Sequence, residues 1–167
     1  MSIMSSRLIR HEICRDEIKN LGGRVVDTEG IMFLVKFSFD TYKITYAYHI
    51  NDDGTYYLER IHPYFLNIGN YKTEEDIVDV IRVDIEQFKN AMNSTNFDQF
   101  IGIDHHLSQL VRLFEDLYLY YNISKEDLDT LDSNVDGILD AIKDIMKHST
   151  RVYTKKDPDV LNENVKF

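Results

Sequence analysis

The chain has 167 residues, of which 43% are hydrophobic and 29% are charged, and its formal net charge is −10. This balance is typical of a globular protein and excludes a disordered chain, and the length suits one domain with a sizeable core. The acidic charge argues against direct nucleic-acid binding, which normally needs a basic surface. Cys14 is the single cysteine, so no internal disulfide can form.

The N-terminal twenty residues are too charged for the core of a signal peptide, and their apolar runs are too short to cross a membrane. We therefore expect a cytoplasmic protein with no membrane contact. No glycine-rich phosphate loop, zinc-protease motif or nucleophile elbow occurs, so the sequence predicts no cofactor and no metal.

The first predicted element is an amphipathic helix over Ser5–Leu21, where apolar residues recur at three-to-five-residue spacing. Gly22 and Gly23 end it, because glycine accepts the left-handed conformation that a helix terminus often needs. Cys14 lies inside this helix, which favours a small packed side chain over a nucleophile. A short leading strand near Arg24–Val26 is an alternative addition to the sheet that follows.

Three antiparallel strands are predicted next, because bulky apolar side chains alternate with polar ones between residues 31 and 61. Pairing Phe39 with Ile44 in the first hairpin, and Ile50 with Thr55 in the second, keeps the large residues on one side. The set expected on that side is Ile31, Phe33, Val35, Phe37, Phe39, Ile44, Tyr46, Tyr48, Ile50, Tyr57, Glu59 and Ile61. The sequence thus predicts a β-meander with one apolar face.

The other face of this meander is mixed, and a helix or a partner could cover it in part. Its expected members are Met32, Leu34, Lys36, Thr45, Ala47, His49, Leu58, Arg60 and His62. Pro63 removes a ladder donor, so it is predicted to end the sheet. A loop is predicted over Asn67–Lys72.

Three or four amphipathic helices are predicted after the sheet and are expected to pack on it. The first begins with a capping-box arrangement of Thr73 and Asp76. Its apolar stripe is Ile77, Ile81, Ile85, Phe88 and Met92. This order of helix, meander and helices resembles the secretion-chaperone type of scaffold over at most the first two-thirds of the chain, and the resemblance assigns no residue a role.

The next helix carries a heptad stripe with 4-3-4-3-4 spacing, formed by Ile103, Leu107, Leu110, Phe114, Leu117 and Tyr121. Further apolar residues widen it, which predicts a helix at the centre of a bundle and makes self-association plausible. These are Val111, Leu113, Tyr118, Leu119 and Tyr120.

The last helical region is predicted in two pieces, a short one over Ser124–Leu131 capped by Ser124 and a longer one over Ser133–His148. The residues expected to face inward in the longer piece are Val135, Ile138, Leu139, Ile142, Ile145 and Met146. Residues 1–149 are expected to form a single α+β domain. The polar residues 150–167 are expected to be an extended or mobile tail.

Acidic residues cluster in two of these helices. Thr73–Glu86 holds six acids and one base, and Ser124–Asp144 holds seven acids and two bases, so the two stretches together carry the whole net charge of −10. The second stretch contains a row of aspartates at four-residue spacing, which costs a helix roughly 0.2–0.5 kcal/mol per like-charged pair. The candidate binding residues are this row and two acids of the first stretch: Asp132, Asp136, Asp140, Asp144, Asp79 and Glu75.

Two other interpretations of these acids stay open. The row could be an ordinary solvated face relieved by Lys143 and Lys147, and acids in a first helical turn favour the helix dipole. The residues from Asp132 to Gly137 also match the opening of an EF-hand loop. Lys143 stands where the bidentate glutamate should be, which argues against calcium binding.

These features favour a non-enzymatic module that binds a protein partner, a basic one or a second copy, through acidic helix surfaces or the mixed sheet face. One alternative is a small enzyme with a dispersed site near Glu59 and the tyrosine-rich sheet, since a buried carboxylate can act as an acid or base. The other is an acidic mimic of nucleic acid that inhibits a nucleic-acid-binding protein.

Overall fold

A computed structural model of the chain describes residues 32–161. The helix predicted over Ser5–Leu21, with Cys14, and the leading strand predicted near Arg24–Val26 lie outside the described residues. The strands are β1 (Met32–Phe39), β2 (Tyr42–Ile50), β3 (Tyr56–His62) and β4 (Leu66–Tyr71), and the helices are α1 (Glu74–Ala91), α2 (Phe97–Tyr120) and α3 (Lys125–His148). The four strands form one antiparallel sheet in the order β1-β2-β3-β4, so the α+β class and the meander are confirmed.

The sheet has a fourth strand that the sequence did not predict. Pro63 ends β3 but not the sheet, because the chain turns back and Leu66–Tyr71 pairs with β3 along its outer side. Asparagine and glycine occupy this strand, and Gly69 adopts a φ of +141° opposite Leu58. Leu66 and Ile68 alternate with Asn67 and Gly69, but this run is too short to identify a strand and is rich in poor strand formers, so the prediction of a loop over Asn67–Lys72 was wrong.

The first hairpin is tighter than predicted. Phe39 pairs with Tyr42 across a two-residue turn, so Phe37 meets Ile44 and the register differs from the expected one by two residues. An even shift keeps every side chain on its expected face, because the side-chain period of a strand is two.

The second hairpin differs from the prediction by one residue, and this reverses the faces of the side chains from Tyr56 to Arg60 in β3, whereas a bulge at Ile61 returns His62 to its predicted side opposite Thr45. Its loop takes up five residues, Asn51–Thr55, so Ile50 pairs with Tyr56. Thr55 belongs to the loop because its backbone N–H and its hydroxyl both donate to the Asp53 carboxylate, at 2.9 and 2.6 Å. Gly54 completes the turn with a φ of +78°.

The reversal changes the expected apolar face. Leu58 and Arg60, predicted on the mixed face, pair with Tyr48 and Tyr46 and are buried. Glu59, predicted beside Tyr46, instead lies opposite Ala47 on the other side of the sheet.

Helix α1 packs on the sheet face that carries Tyr46, Tyr48 and Leu58, and it completes the core there. Thr73 caps it with both bonds of a capping box to Asp76, as predicted. Four of the five predicted stripe residues are buried, and Met92 is half-buried. The core cluster consists of Ile44, Tyr46, Tyr48, Leu58, Ile77, Ile81, Ile85, Phe88, Phe97 and Ile101. We call the four strands with α1 the body of the protein.

Helices α2 and α3 do not pack on the sheet as predicted. Each has 24 residues, which makes each about 36 Å long. α2 buries only Phe97 and Ile101, near its start, and α3 buries no residue. α3 is also one continuous helix from Lys125, where two pieces were predicted. The helix α1 already occupies the sheet face that bears the core, so that face is not open to α3.

Candidate interaction surface

Helix α2 is anchored to the body by its first two turns. The ring of Tyr42 meets the ring of Phe97 edge-on at 4.8 Å, and its hydroxyl donates to Asp98. Phe100 packs edge-on against Tyr64 at 5.7 Å. The ring of His105 still meets the Pro63 carbonyl oxygen at 3.1 Å, but beyond Ile101 no residue of α2 is buried, and the helix continues for four turns past this contact.

The chain returns to the body after α3. The Nζ atom of Lys155 lies 2.8 Å from the Glu86 carboxylate of α1, and the Tyr153 hydroxyl donates to the same carboxylate at 3.4 Å. α2 therefore leaves the body and the segment after α3 rejoins it. We call α2 from Ile103 onward, together with α3, the helical arm.

The arm carries large apolar side chains along both helices. In α3 the apolar residues from Leu128 to Ile145 alternate at spacings of three and four, as the heptad stripe of α2 does. Eight residues of these heptad stripes, and Met146 beside the stripe of α3, are each 40–55% exposed, and we call these nine residues the arm stripe. They are Ile103, Leu107, Leu110, Phe114, Val135, Ile138, Ile142, Ile145 and Met146.

In α2 the apolar surface is wider than one contact requires. Val111 and Tyr118 flank the stripe on one side, and Leu113 and Tyr120 flank it on the other, at 59–79% exposure. A helix that is apolar at both flanking heptad positions can contact neighbours on two sides. The prediction that α2 lies at the centre of a bundle is thus not met, because no described helix covers its flanking residues.

The aspartate row lies on the polar side of α3. All four residues are exposed. Two of them pair with lysines one turn later: Asp144 lies 2.7 Å from Lys147, and Asp140 lies 4.0 Å from Lys143. These pairs match the predicted relief of the row. In heptad terms the row runs from the edge of the apolar stripe at Asp132 to the outer side of the helix.

The other predicted binding residues lie on α1. Glu75 and Asp79 are exposed, and Asp79 pairs with Arg82 at 2.7 Å. Within residues 32–161, no hydrogen bond or ion pair joins these acids to the row on α3.

The predicted resemblance to a calcium loop is ruled out as a structural motif. The residues from Asp132 to Gly137 are helical, inside α3, rather than looped around a cation. The predicted start of a separate helix at Ser133 is also wrong, because α3 starts at Lys125 with Ser124 as its cap. Among the described residues, no three histidine, cysteine, aspartate or glutamate side chains converge on a metal-binding geometry.

The body contains one buried charged cluster, which the sequence did not reveal. The Nη1 atom of Arg60 donates to both oxygens of Asp84, at 2.8 and 2.7 Å, and the Tyr46 hydroxyl donates to the same carboxylate at 2.5 Å. The rings of Tyr64 and Phe88 lie on the guanidinium, with centroids 4.5 and 4.7 Å from its carbon. We call these five residues the Arg60 cluster.

The chemistry of the Arg60 cluster is structural. Burial, and then the bond to Asp84, raise the pKa of the Tyr46 hydroxyl, so this group stays protonated. The carboxylate oxygens of Asp84 accept hydrogen bonds from Arg60 and Tyr46, and the cluster thereby joins β2, β3 and α1. One signal was readable from the sequence: Asp84 falls between Ile81 and Phe88, inside the apolar stripe of α1.

The predicted enzyme alternative depended on Glu59 beside the tyrosines, and the register removes that arrangement. Asp84 and Glu74 of α1 are the carboxylates on Tyr46 and Tyr48. A groove of about 450 Å³ opens between β1 and α1, but its floor is apolar and no histidine lines it.

Tyr48 gives a prediction for alkaline pH. Its hydrogen bond to Glu74 raises its pKa to about 12, whereas an unfolded tyrosine ionises near 10. Above about pH 10 only the unfolded state loses this proton, so the free energy of unfolding should fall as pH rises toward 12. The Tyr48→Phe variant should lose less stability than the wild type between about pH 9 and 11, as measured by urea unfolding.

Tyr57→Phe, on the opposite sheet face, is the matched control and should keep the wild-type pH dependence. If the free energy of unfolding fell with pH at the same rate in Tyr48→Phe and in the wild type, the hydrogen bond from Tyr48 to Glu74 would be contradicted.

No helix in the described part of the chain has the length and apolar character needed to cross a membrane. Comparisons with protein-family models, with curated proteins and with solved structures find no match to this chain.

Proposed function

We propose that the chain is a non-enzymatic protein-interaction module of the cytoplasm that associates with protein through the arm stripe. The observation that carries this proposal is the uncovered state of two long helices, one of which buries no residue at all. At 40–55% exposure the nine stripe residues present on the order of 800 Å² of mostly apolar surface. Apolar patches of this size mark interaction sites, because water contact with them is costly.

The polar side of the arm favours protein over membrane as the contact. A helix that lies on a lipid surface usually carries lysine and arginine opposite its apolar face. The polar side of α3 carries the aspartate row instead, and anionic lipids would repel it.

The aspartate row is a second candidate contact, for a basic protein partner. It is exposed, and Asp132 and Asp136 form no ion pair with described residues. Binding through exposed charges weakens as salt rises, whereas burial of apolar surface does not. A salt titration of any complex therefore distinguishes the two contacts. At about 0.5 M salt, charges are screened beyond roughly 4 Å, so a complex that dissociates there is held by the aspartate row.

Site-specific photo-crosslinking tests the proposal in cells that produce the protein. The photoreactive residue p-benzoylphenylalanine replaces Leu113, on the apolar side of α2, or Gln109, on its polar side. We expect intermolecular adducts from position 113 and at most traces from position 109. Equal yields from the two positions, or no intermolecular adduct from position 113, would show that the arm stripe is not a contact surface.

A further inference from the structure

We infer that the partner of the arm stripe is a second copy of this chain, so that two arms assemble into a four-helix bundle. This inference depends on the proposed function, because it names the occupant of the same surface. The bundle would be formed from α2 and α3 of each chain, related by a two-fold axis.

The width of the apolar surface on α2 is the first argument. Val111 and Tyr118 on one side, and Leu113 and Tyr120 on the other, require helix neighbours on two sides. Among the described helices, α1 is committed to the sheet, so α3 alone is left to serve one of these sides. A second α2–α3 pair supplies the missing neighbour with the same heptad spacing and the same helix length of 24 residues.

The area is the second argument. Stable protein–protein interfaces bury about 800 Å² on each partner. The arm stripe alone exposes an area of this order, and the flanking residues of α2 add four more side chains that are 59–79% exposed. An interface of two arms therefore reaches the size of a stable homodimer without any contribution from the body.

The distribution of charge is the third argument. A chain with a net charge of −10 resists self-association unless its acids stay out of the interface. The residues that flank the α2 stripe from Leu107 to Tyr121 are uncharged, and three of those flanking the second half of the α3 stripe are Leu139, Ala141 and Met146. Most of the aspartate row points outward from the stripe, where water and salt screen it.

Sedimentation equilibrium of the full chain tests this inference. We expect twice the chain mass of 19.7 kDa for the wild type. Leu110→Asp places a charge in the interface twice per dimer and should raise the dissociation constant by about 100-fold or more. Gln109→Asp adds the same charge to the neighbouring polar position, so this control should remain a dimer.

The body serves as an internal reference for folding. Leu110 is 46% exposed and outside the core cluster, so the backbone amides of β2 and α1 should exchange hydrogen at the wild-type rate in Leu110→Asp. Ile142→Asp with the control Lys143→Asp repeats the comparison on α3. A wild type of single-chain mass, or a dimer that Leu110→Asp and Ile142→Asp leave intact, overturns the inference.

The two proposals fail separately. A monomer whose position 113 crosslinks to a different protein removes the homodimer and keeps the interaction module. A monomer whose position 113 crosslinks only within its own chain, for example to the predicted helix Ser5–Leu21, removes both.

Discussion

Replacing Arg60 with methionine should lower the free energy of unfolding by about 3–5 kcal/mol, because it leaves the Asp84 carboxylate without its cation. Arg60 is only 2% exposed, and its guanidinium fills the space between two aromatic rings. Methionine is an unbranched, flexible side chain that can fill much of the same space, so the lost stability is due to the missing charge rather than to a cavity. Urea unfolding at a fixed protein concentration measures it.

A double variant separates the pair from the packing around it. Adding Asp84→Asn to Arg60→Met removes the uncompensated charge and keeps an amide oxygen that accepts from the Tyr46 hydroxyl. The double variant should therefore recover at least half of the lost stability. Arg82→Met breaks an exposed pair with Asp79 and should change stability by less than about 1 kcal/mol. Equal losses for Arg60→Met and Arg82→Met would contradict the burial of this cluster.

The Leu58→Ala variant should lose about 2–5 kcal/mol, because the side chain is fully buried under α1 and its removal leaves a cavity. This result tests the register of β2 and β3, since the register predicted from the sequence puts Leu58 on the mixed face. The same unfolding measurement applies.

Leu34→Ala is the matched control on that mixed face. Leu34 is 56% exposed in β1, so its truncation should cost no more than about 0.5 kcal/mol. If Leu34→Ala lowered the free energy of unfolding more than Leu58→Ala, the opposite face of β3 would be the one packed against α1.

The helices were largely predictable because their signals are local. The capping box of Thr73 and Asp76 and the stripe of α1 need only residues within a few turns, and both are confirmed. The heptad stripe of α2 was equally visible. The split predicted before Ser133 failed because Leu128 and Leu131 continue the α3 stripe with the same spacing and were not counted with it.

The sheet was less predictable because its register depends on turns. One extra residue in the Asn51–Thr55 loop moves Leu58 and Arg60 from one face to the other. Alternation alone could not decide this, since both sets of side chains in β3 mix apolar and polar residues. The fourth strand was missed because its pairing comes from the edge of β3 rather than from its own composition.

One part of the candidate site could be predicted from the sequence and the other could not. The apolar width of α2 was predicted, but packing on the sheet was expected to cover it. Only the structure shows that α1 takes that position and leaves the arm stripe exposed. The Arg60 cluster was hidden for a different reason: its ion pair joins residues 24 positions apart, on a strand whose face had been misassigned.

Amide hydrogen exchange reports whether the arm is covered by a second copy in solution. We expect amides from Ile103 to Tyr120 and along α3 to exchange slowly in the wild type at high concentration, and markedly faster on dilution or in Leu110→Asp. Amides of β2 and α1 should exchange at the same rate in every case. An arm that exchanges equally in the wild type and in Leu110→Asp, at both concentrations, would show that no second copy covers the arm stripe.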